Sequence, residues 1–169
     1  MLGAVLIVQG AGVIEPESVE RALTALESVC DRVIVLGGPE RAGPGGRELP
    51  SDADELTAVN AALHESRDGH CVVLAGDLRH PSVELLRYML HIRGSFEVVV
   101  PERRDGSPQP LCALYHTALV RRAEGLLAAG ERTLAPLLDL ATVRRVSVEE
   151  VAKFGDPQDL LERSGSRPL

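Results

Sequence analysis

At 169 residues the chain has room for one domain spanning residues 1–169, a size at which folding buries roughly two thirds of the unfolded surface. Two Phe, two Tyr and no Trp leave a core of Leu, Val, Ala and Ile and make stacking of bases on aromatic rings a poor basis for recognition. A formal charge of -7, with Lys153 the sole lysine, argues against a nucleic-acid or anionic-membrane surface, since phosphate polymers are held by clustered cations.

Gly3 to Val8 is a continuous apolar run closed by Gln9-Gly10-Ala11-Gly12, the pattern of a strand covered on both faces and followed by a glycine turn. No basic region precedes it, and it is too short for a signal or spanning helix, so a cytoplasmic protein is expected. Val19, Ala22, Leu23, Leu26 and Val29 recur at three and four residues after Pro16, which predicts a helix with one apolar stripe. Val33 to Leu36 is the next strand. Five Gly and three Pro between positions 37 and 50 predict one long loop. Ser51 with Asp54 resembles a capping box for a helix that buries Leu56, Val59 and Leu63.

Cys71 to Ala75 reads as a buried strand, Pro81 opens a helix with Leu86, Met89 and Leu90 inward, and Phe96 to Val100 is a short β-branched strand. A turn at Arg104-Asp105-Gly106-Ser107 precedes a strand over Leu111 to Tyr115. Two helices split by Gly130 follow, then a short strand over Val143 to Val148, and Asp156-Pro157 starts a last helix. Strands alternating with helices imply an α/β fold of three layers, Rossmann-like, with a mostly parallel sheet between helices; the segment after Val100 is the candidate for an antiparallel member. Cys30, Cys71 and Cys112 are odd in number, widely spaced and set among apolar residues, and read as small buried hydrophobes in a reducing compartment.

One acid stands out. Asp77 follows the Cys71–Ala75 run after a single Gly76, at the carboxyl edge of a strand, where open α/β sheets bind ligands and where a carboxylate can seat a magnesium ion carrying phosphates. The plainer reading of the same position is a turn or helix-capping acid. His80 lies nearby, before Pro81, where it suits either a phosphate contact or a helix boundary.

The order of motifs resembles the MobA-like nucleotidyltransferase family, of the molybdenum cofactor guanylyltransferase type. Gly3-Ala4-Val5-Leu6, Cys30 through Gly38, Leu74-Ala75-Gly76-Asp77 with Pro81-Ser82, and Val100-Pro101 leading to Gln109-Pro110-Leu111-Cys112-Ala113-Leu114-Tyr115 carry the resemblance. Gly130 through Leu134 and Phe154 through Leu160 extend it over almost the whole chain. It implies transfer of GMP, or another nucleotidyl group, from a nucleoside triphosphate, GTP first, to the terminal phosphate of a molybdopterin-like acceptor. Magnesium is the implied cofactor and pyrophosphate the product, with no nucleic acid or membrane partner. It makes Asp77 the metal-binding and catalytic acid, puts Val8, Gln9, Gly10, Ala11, Gly12, Asp54 and Gly76 in the nucleotide site, and sets Gln109 and Pro110 beside the acceptor.

The departures from the family pattern fall on ligand-facing segments. A Gly-Gly-x-Ser-x-Arg-Met-Gly-x-Asp-Lys loop is usual after the first strand, where amides and two cations cradle the triphosphate; here Ile7 through Glu17 holds no Arg or Lys and two Glu. Asp54-Glu55-Leu56-Thr57-Ala58 replaces a Gly-Pro-Leu-x-Gly segment, and Phe154-Gly155-Asp156-Pro157 lacks both Asn of the usual C-terminal pattern. Two functions follow from this mixture: a divergent nucleotidyltransferase, or a binding or regulatory domain that keeps the fold without catalysis. A sugar-nucleotide enzyme on a related fold is a third, which the segment from Gln109 to Tyr115 makes the weakest. Arg103 and Arg104, in the turn beside that segment, are expected on a solvated surface unless they meet an anionic acceptor.

Overall fold

The computed structural model describes residues 2–7, 15–37, 49, 53–66 and 69–164. Among them are six strands, β1 (Gly3–Ile7), β2 (Arg32–Leu36), β3 (His70–Ala75), β4 (Val98–Pro101), β5 (Cys112–His116) and β6 (Val143–Val146), joined into one sheet of order β2-β1-β3-β5-β4-β6. β1 runs parallel to β2 and β3, and β4 runs parallel to β6. β5 is antiparallel to both its neighbours, which gives the mostly parallel sheet, with one reversed member, that the sequence predicts.

The helices are α1 (Pro16–Glu27), α2 (Glu55–Glu65), α3 (Val83–Ile92), α4 (Val120–Ala128), α5 (Ala135–Asp139), α6 (Val148–Val151) and α7 (Pro157–Leu161). α1 connects β1 to β2 on one side, and α2 connects β2 back across β1 to β3 on the other. Right-handed crossovers in opposite directions put those two helices on opposite faces of the sheet. α1 buries Val19, Ala22, Ala25 and Leu26, and α2 buries Leu56, Ala58, Val59, Ala62 and Leu63, so the apolar spacing in the sequence is the packing surface in the fold. Between them the strand residues Val5, Val72, Val73, Leu74, Val99, Ala113 and Leu114 are almost wholly buried. None of the described helices is long and apolar enough to cross a membrane.

Several local expectations shift. Ser51 lies outside the described residues, and the cap of α2 is Asp54 itself, which accepts from the Thr57 amide at 2.8 Å. Pro81 does not open α3; Ser82 caps it, accepting from the Leu85 amide at 3.2 Å, so the proline ends the preceding turn instead. The expected strand over Phe96 to Val100 starts at Val98, and Phe96 is part exposed. The expected strand to Val148 stops at Val146 because Ser147 and Glu150 form a reciprocal capping box that starts α6, a short helix the apolar pattern does not announce. Cys71 and Cys112 are buried as expected, Cys30 is half-buried, and all are free thiols. Burial pushes Cys71 up to about 11 and Cys112 up to about 12, the inert behaviour of structural cysteines.

Candidate functional site

The strand order reverses at β1: β2 lies on one side of it and β3 on the other. Ile7 of β1 is in register with Leu36 of β2 and with Ala75 of β3, so the three parallel strands end flush. In doubly wound sheets such a reversal of strand order marks the edge at which ligands are held. Gly76 and Asp77 stand at that edge. The Gly76 amide donates to the Ile7 carbonyl at 2.8 Å, which extends the β1–β3 pairing by one bond and fixes the direction in which the chain leaves the sheet. That amide is consequently engaged with backbone.

Asp77 is 5% exposed. Its Oδ1 accepts from Arg163 Nε at 2.7 Å, a contact between a carboxylate and a cation 86 residues away in sequence. The backbones are paired too. Leu78 and Arg163 form an isolated antiparallel bridge, the Arg79 amide donates to the Glu162 carbonyl at 3.1 Å, and the Ser164 amide donates to the Asp77 carbonyl at 2.8 Å. Arg79 and Glu162 add a side-chain ion pair at 3.4 Å. The segment after α7 therefore lies along the turn that carries Asp77 and supplies the charge that compensates its burial.

Gln109 secures the same segment from the other side. It is 1% exposed, its Nε2 donates to the Leu161 carbonyl at 2.6 Å, and its Oε1 accepts from the Leu111 amide at 3.4 Å. The Pro110 carbonyl accepts from the buried Tyr115 hydroxyl at 2.7 Å, and the Leu111 carbonyl accepts from the Ala75 amide at 2.8 Å. The loop entering β5 thus continues the sheet beside the end of β3, and it brings Gln109 and Pro110 to the same edge as Gly76 and Asp77. Asp54 serves as the cap of α2 and pairs with Arg132 at 3.6 Å. Of the residues singled out in the sequence, Val8, Gln9, Gly10, Ala11 and Gly12 lie outside the described residues. Gly76, Asp77, Gln109, Pro110 and Asp54 all make internal bonds.

The turn arginines are tied down. Arg103 Nη1 donates to the Ser107 hydroxyl and the Pro108 carbonyl within its own turn, while Arg104 reaches Asp156 at 3.6 Å and Gln158 at 3.3 Å. His80 and Pro81 line an open groove of about 620 Å³ with Glu17, Glu20, Arg21 and Thr24 of α1, three residues beyond Asp77. Arg163 is the residue that sequence reasoning missed. It follows α7 outside any periodic segment, and only the long-range pairing of 162–164 with 77–79 brings it to the site.

A divalent cation at this edge would need Asp77 as a ligand. No group of three or more His, Cys, Asp or Glu among the described residues converges on a common point. That alone is compatible with an ion held by one carboxylate and substrate phosphates. The guanidinium on Asp77 is not: a second positive charge of two units beside it in a buried setting is strongly repelled. With Arg163 in this position, the residues present do not fit the ion.

Comparison with known proteins places these features in a family. Residues 15–148 match the MobA-like NTP transferase domain, a span that begins after β1. A probable molybdenum cofactor guanylyltransferase of Deinococcus radiodurans is 46% identical over 151 residues, covering 82% of this chain and 76% of that protein. One from Pelotomaculum thermopropionicum is 31% identical over 143 residues, covering 82% and 69%. Among solved structures, molybdopterin-guanine dinucleotide biosynthesis protein A of Archaeoglobus fulgidus superposes with a TM-score of 0.77 at 18% identity, over 97% of this chain and 92% of that one. At that identity the likeness concerns the fold.

Proposed function

The chain belongs to the MobA-like NTP transferase family, and from that membership we propose that it transfers a nucleotidyl group, GMP from GTP as the first choice, to the terminal phosphate of a molybdopterin-type acceptor in molybdenum cofactor assembly. The observation that carries this reading is the convergence of Asp77, Gly76, Gln109 and Pro110 on the carboxyl edge of the sheet at its strand-order reversal. That is the position at which this architecture holds nucleotides. In the reaction an acceptor phosphate oxygen attacks the α-phosphorus of the triphosphate, the bond to the β-phosphate breaks, and pyrophosphate leaves. Such a transfer asks the protein for alignment and charge compensation rather than for covalent chemistry.

The chain's own residues supply alignment through backbone. The Gly76–Ile7 bond fixes the exit of the Asp77 turn, and the Gln109–Leu161 and Ala75–Leu111 bonds fix the neighbouring loop against it. Magnesium is the expected companion of the triphosphate, and since Arg163 holds Asp77 in the arrangement described, no step is assigned to it. The same contact favours the second reading, a domain that binds nucleotide or a partner without turnover, because the acid on which catalysis would depend is already compensated.

Two measurements separate them. Ligand bound only to the native state raises the melting temperature, by the equivalent of about 2.7 kcal/mol at a hundred times its Kd. GTP is therefore expected to raise it, with other nucleoside triphosphates serving as the specificity control. Pyrophosphate release with GTP and a molybdopterin acceptor then tests transfer itself. A nucleotide response without pyrophosphate assigns nucleotide binding without turnover; a flat melting profile across all nucleotides at millimolar concentration removes the transferase reading and leaves the domain that binds a partner.

A further inference from the structure

Asp77 is buried, and its Oδ1 accepts from Arg163 Nε at 2.7 Å. The stretch from Ile7 through Glu17, which leads from β1 into α1, contains no Arg or Lys and two Glu. An anionic ligand at the carboxyl edge of the sheet can therefore draw compensation neither from cations in that stretch nor from an ion on Asp77. The cation that stands on the acid is an arginine.

The chemistry of the pair suits phosphate. The guanidinium meets Asp77 through its Nε edge, and in this planar group Nη1 and Nη2 form a second fork, whose spacing matches two phosphate oxygens. The Arg163 side chain is 21% exposed and that of Asp77 is 7% exposed, so the acid is the deeper member of the pair and the arginine the more accessible one. A buried carboxylate is costly without its counter-charge, which keeps the guanidinium in place. Backbone holds the same residues together: Leu78 and Arg163 form an isolated bridge, and the Ser164 amide donates to the Asp77 carbonyl at 2.8 Å. An arginine oriented in advance loses less side-chain freedom on taking a ligand than a solvated one.

We propose that Arg163, held by Asp77, takes phosphate oxygens of the nucleoside triphosphate directly, so that this chain binds its nucleotide without a divalent cation on the strand-end acid. This rests on the reading of the carboxyl edge as a nucleotide site. Asp77 is then a positioning residue for an arginine, and Arg163 supplies directional N–H donors to ionised oxygens, a class of hydrogen bond stronger than its neutral counterpart. A triphosphate that already chelates magnesium carries less negative charge and has some of its oxygens engaged, which makes it the poorer ligand for such a site.

Calorimetric titration of the full chain with GTP, in EDTA and again with excess magnesium, tests this without any substitution. Affinity in EDTA is expected to equal or exceed that with magnesium; a higher affinity with magnesium overturns the proposal. In EDTA, Arg163→Gln is expected to weaken GTP by about tenfold or more, the scale of a hydrogen bond to a charged group. Arg163→Lys keeps the charge, loses the fork, and falls between. Arg145→Gln makes the same change in net charge on β6, at the far border of the sheet, and is expected to leave the affinity unaltered. Unaltered affinity in Arg163→Gln or in Arg163→Lys, or an equal loss in Arg145→Gln, overturns the proposal. A melting curve of each variant checks its folding, and should Arg163→Gln not fold, the magnesium comparison and Arg163→Lys still decide. Inorganic tripolyphosphate in EDTA separates the arginine from the nucleotide reading beneath it. Tripolyphosphate binding that depends on Arg163, with GTP no tighter, keeps the arginine as an anion receptor and removes the nucleotide reading. GTP binding that requires magnesium and ignores Arg163 does the reverse, and no binding of either ligand removes both.

Discussion

Gln109→Met replaces a buried amide with a side chain of similar length and volume, so it isolates the polar contribution from packing. Two bonds are lost. The donor to the Leu161 carbonyl at 2.6 Å is short and buried; the acceptor from the Leu111 amide at 3.4 Å is long and contributes little. What remains is a Leu161 carbonyl without its side-chain partner, a loss of about 2 kcal/mol once the desolvation of an unsatisfied group is included. For a chain of this size that corresponds to a fall in melting temperature of about 4–8 °C. The loss is also local, because Leu161 leads directly into the segment that pairs with residues 77–79. Amide exchange at Arg79 and Ser164, whose donors bond to Glu162 and Asp77, is expected to accelerate well beyond exchange at the Val73 and Leu74 amides of β3. A loss below about 0.5 kcal/mol, with exchange at Arg79 and Ser164 unchanged, would refute the view that Gln109 anchors this segment.

Two further outcomes follow from the other end of the sheet. Glu150 accepts from Arg144 and from the Tyr88 hydroxyl, which hold its carboxyl down from 4.5 to about 2; because the folded value is the lower one, the stabilisation is fully present above pH 4.5 and is lost as pH falls toward 2. Allowing for solvent screening it amounts to about 1 kcal/mol, and the difference between urea midpoints at pH 6 and pH 3 is expected to shrink in Glu150→Gln; an unchanged difference counts against the assignment. Gly155 has φ 147°, and a Cβ there would lie 3.3 Å from the methyl carbons of Leu160, so Gly155→Ala is expected to cost about 1–3 kcal/mol in a thermal melt, and a neutral result would show that the α6–α7 turn relaxes freely.

The fold was legible because its helices carry their buried faces in their spacing: Val19, Ala22 and Leu26 in α1, and Leu56, Val59 and Leu63 in α2. β1, β3 and β5 read as apolar runs because both of their faces are covered. α6 escaped because four residues cannot show a period, and its start is written in the Ser147–Glu150 exchange of bonds rather than in hydrophobicity. The position of Asp77 at a strand's carboxyl end was readable from Gly76 and the run before it. Its partner was not. Arg163 reaches it through tertiary pairing across 86 residues, and nothing local to Glu162-Arg163-Ser164 signals a destination. Asp54 illustrates the converse: family alignment points it at ligand, while the simple capping rule accounts for its bond to Thr57.

β6 closes the sheet with its outer side unpaired among the described strands, and it carries Arg144 and Arg145 in succession. Each is tethered to an acid of its own molecule, Glu150 and Glu102 respectively, which holds bulky cationic heads along the border where another chain's backbone would add. Bulky charged side chains flanking an unpaired strand disfavour the addition of another chain's backbone along it.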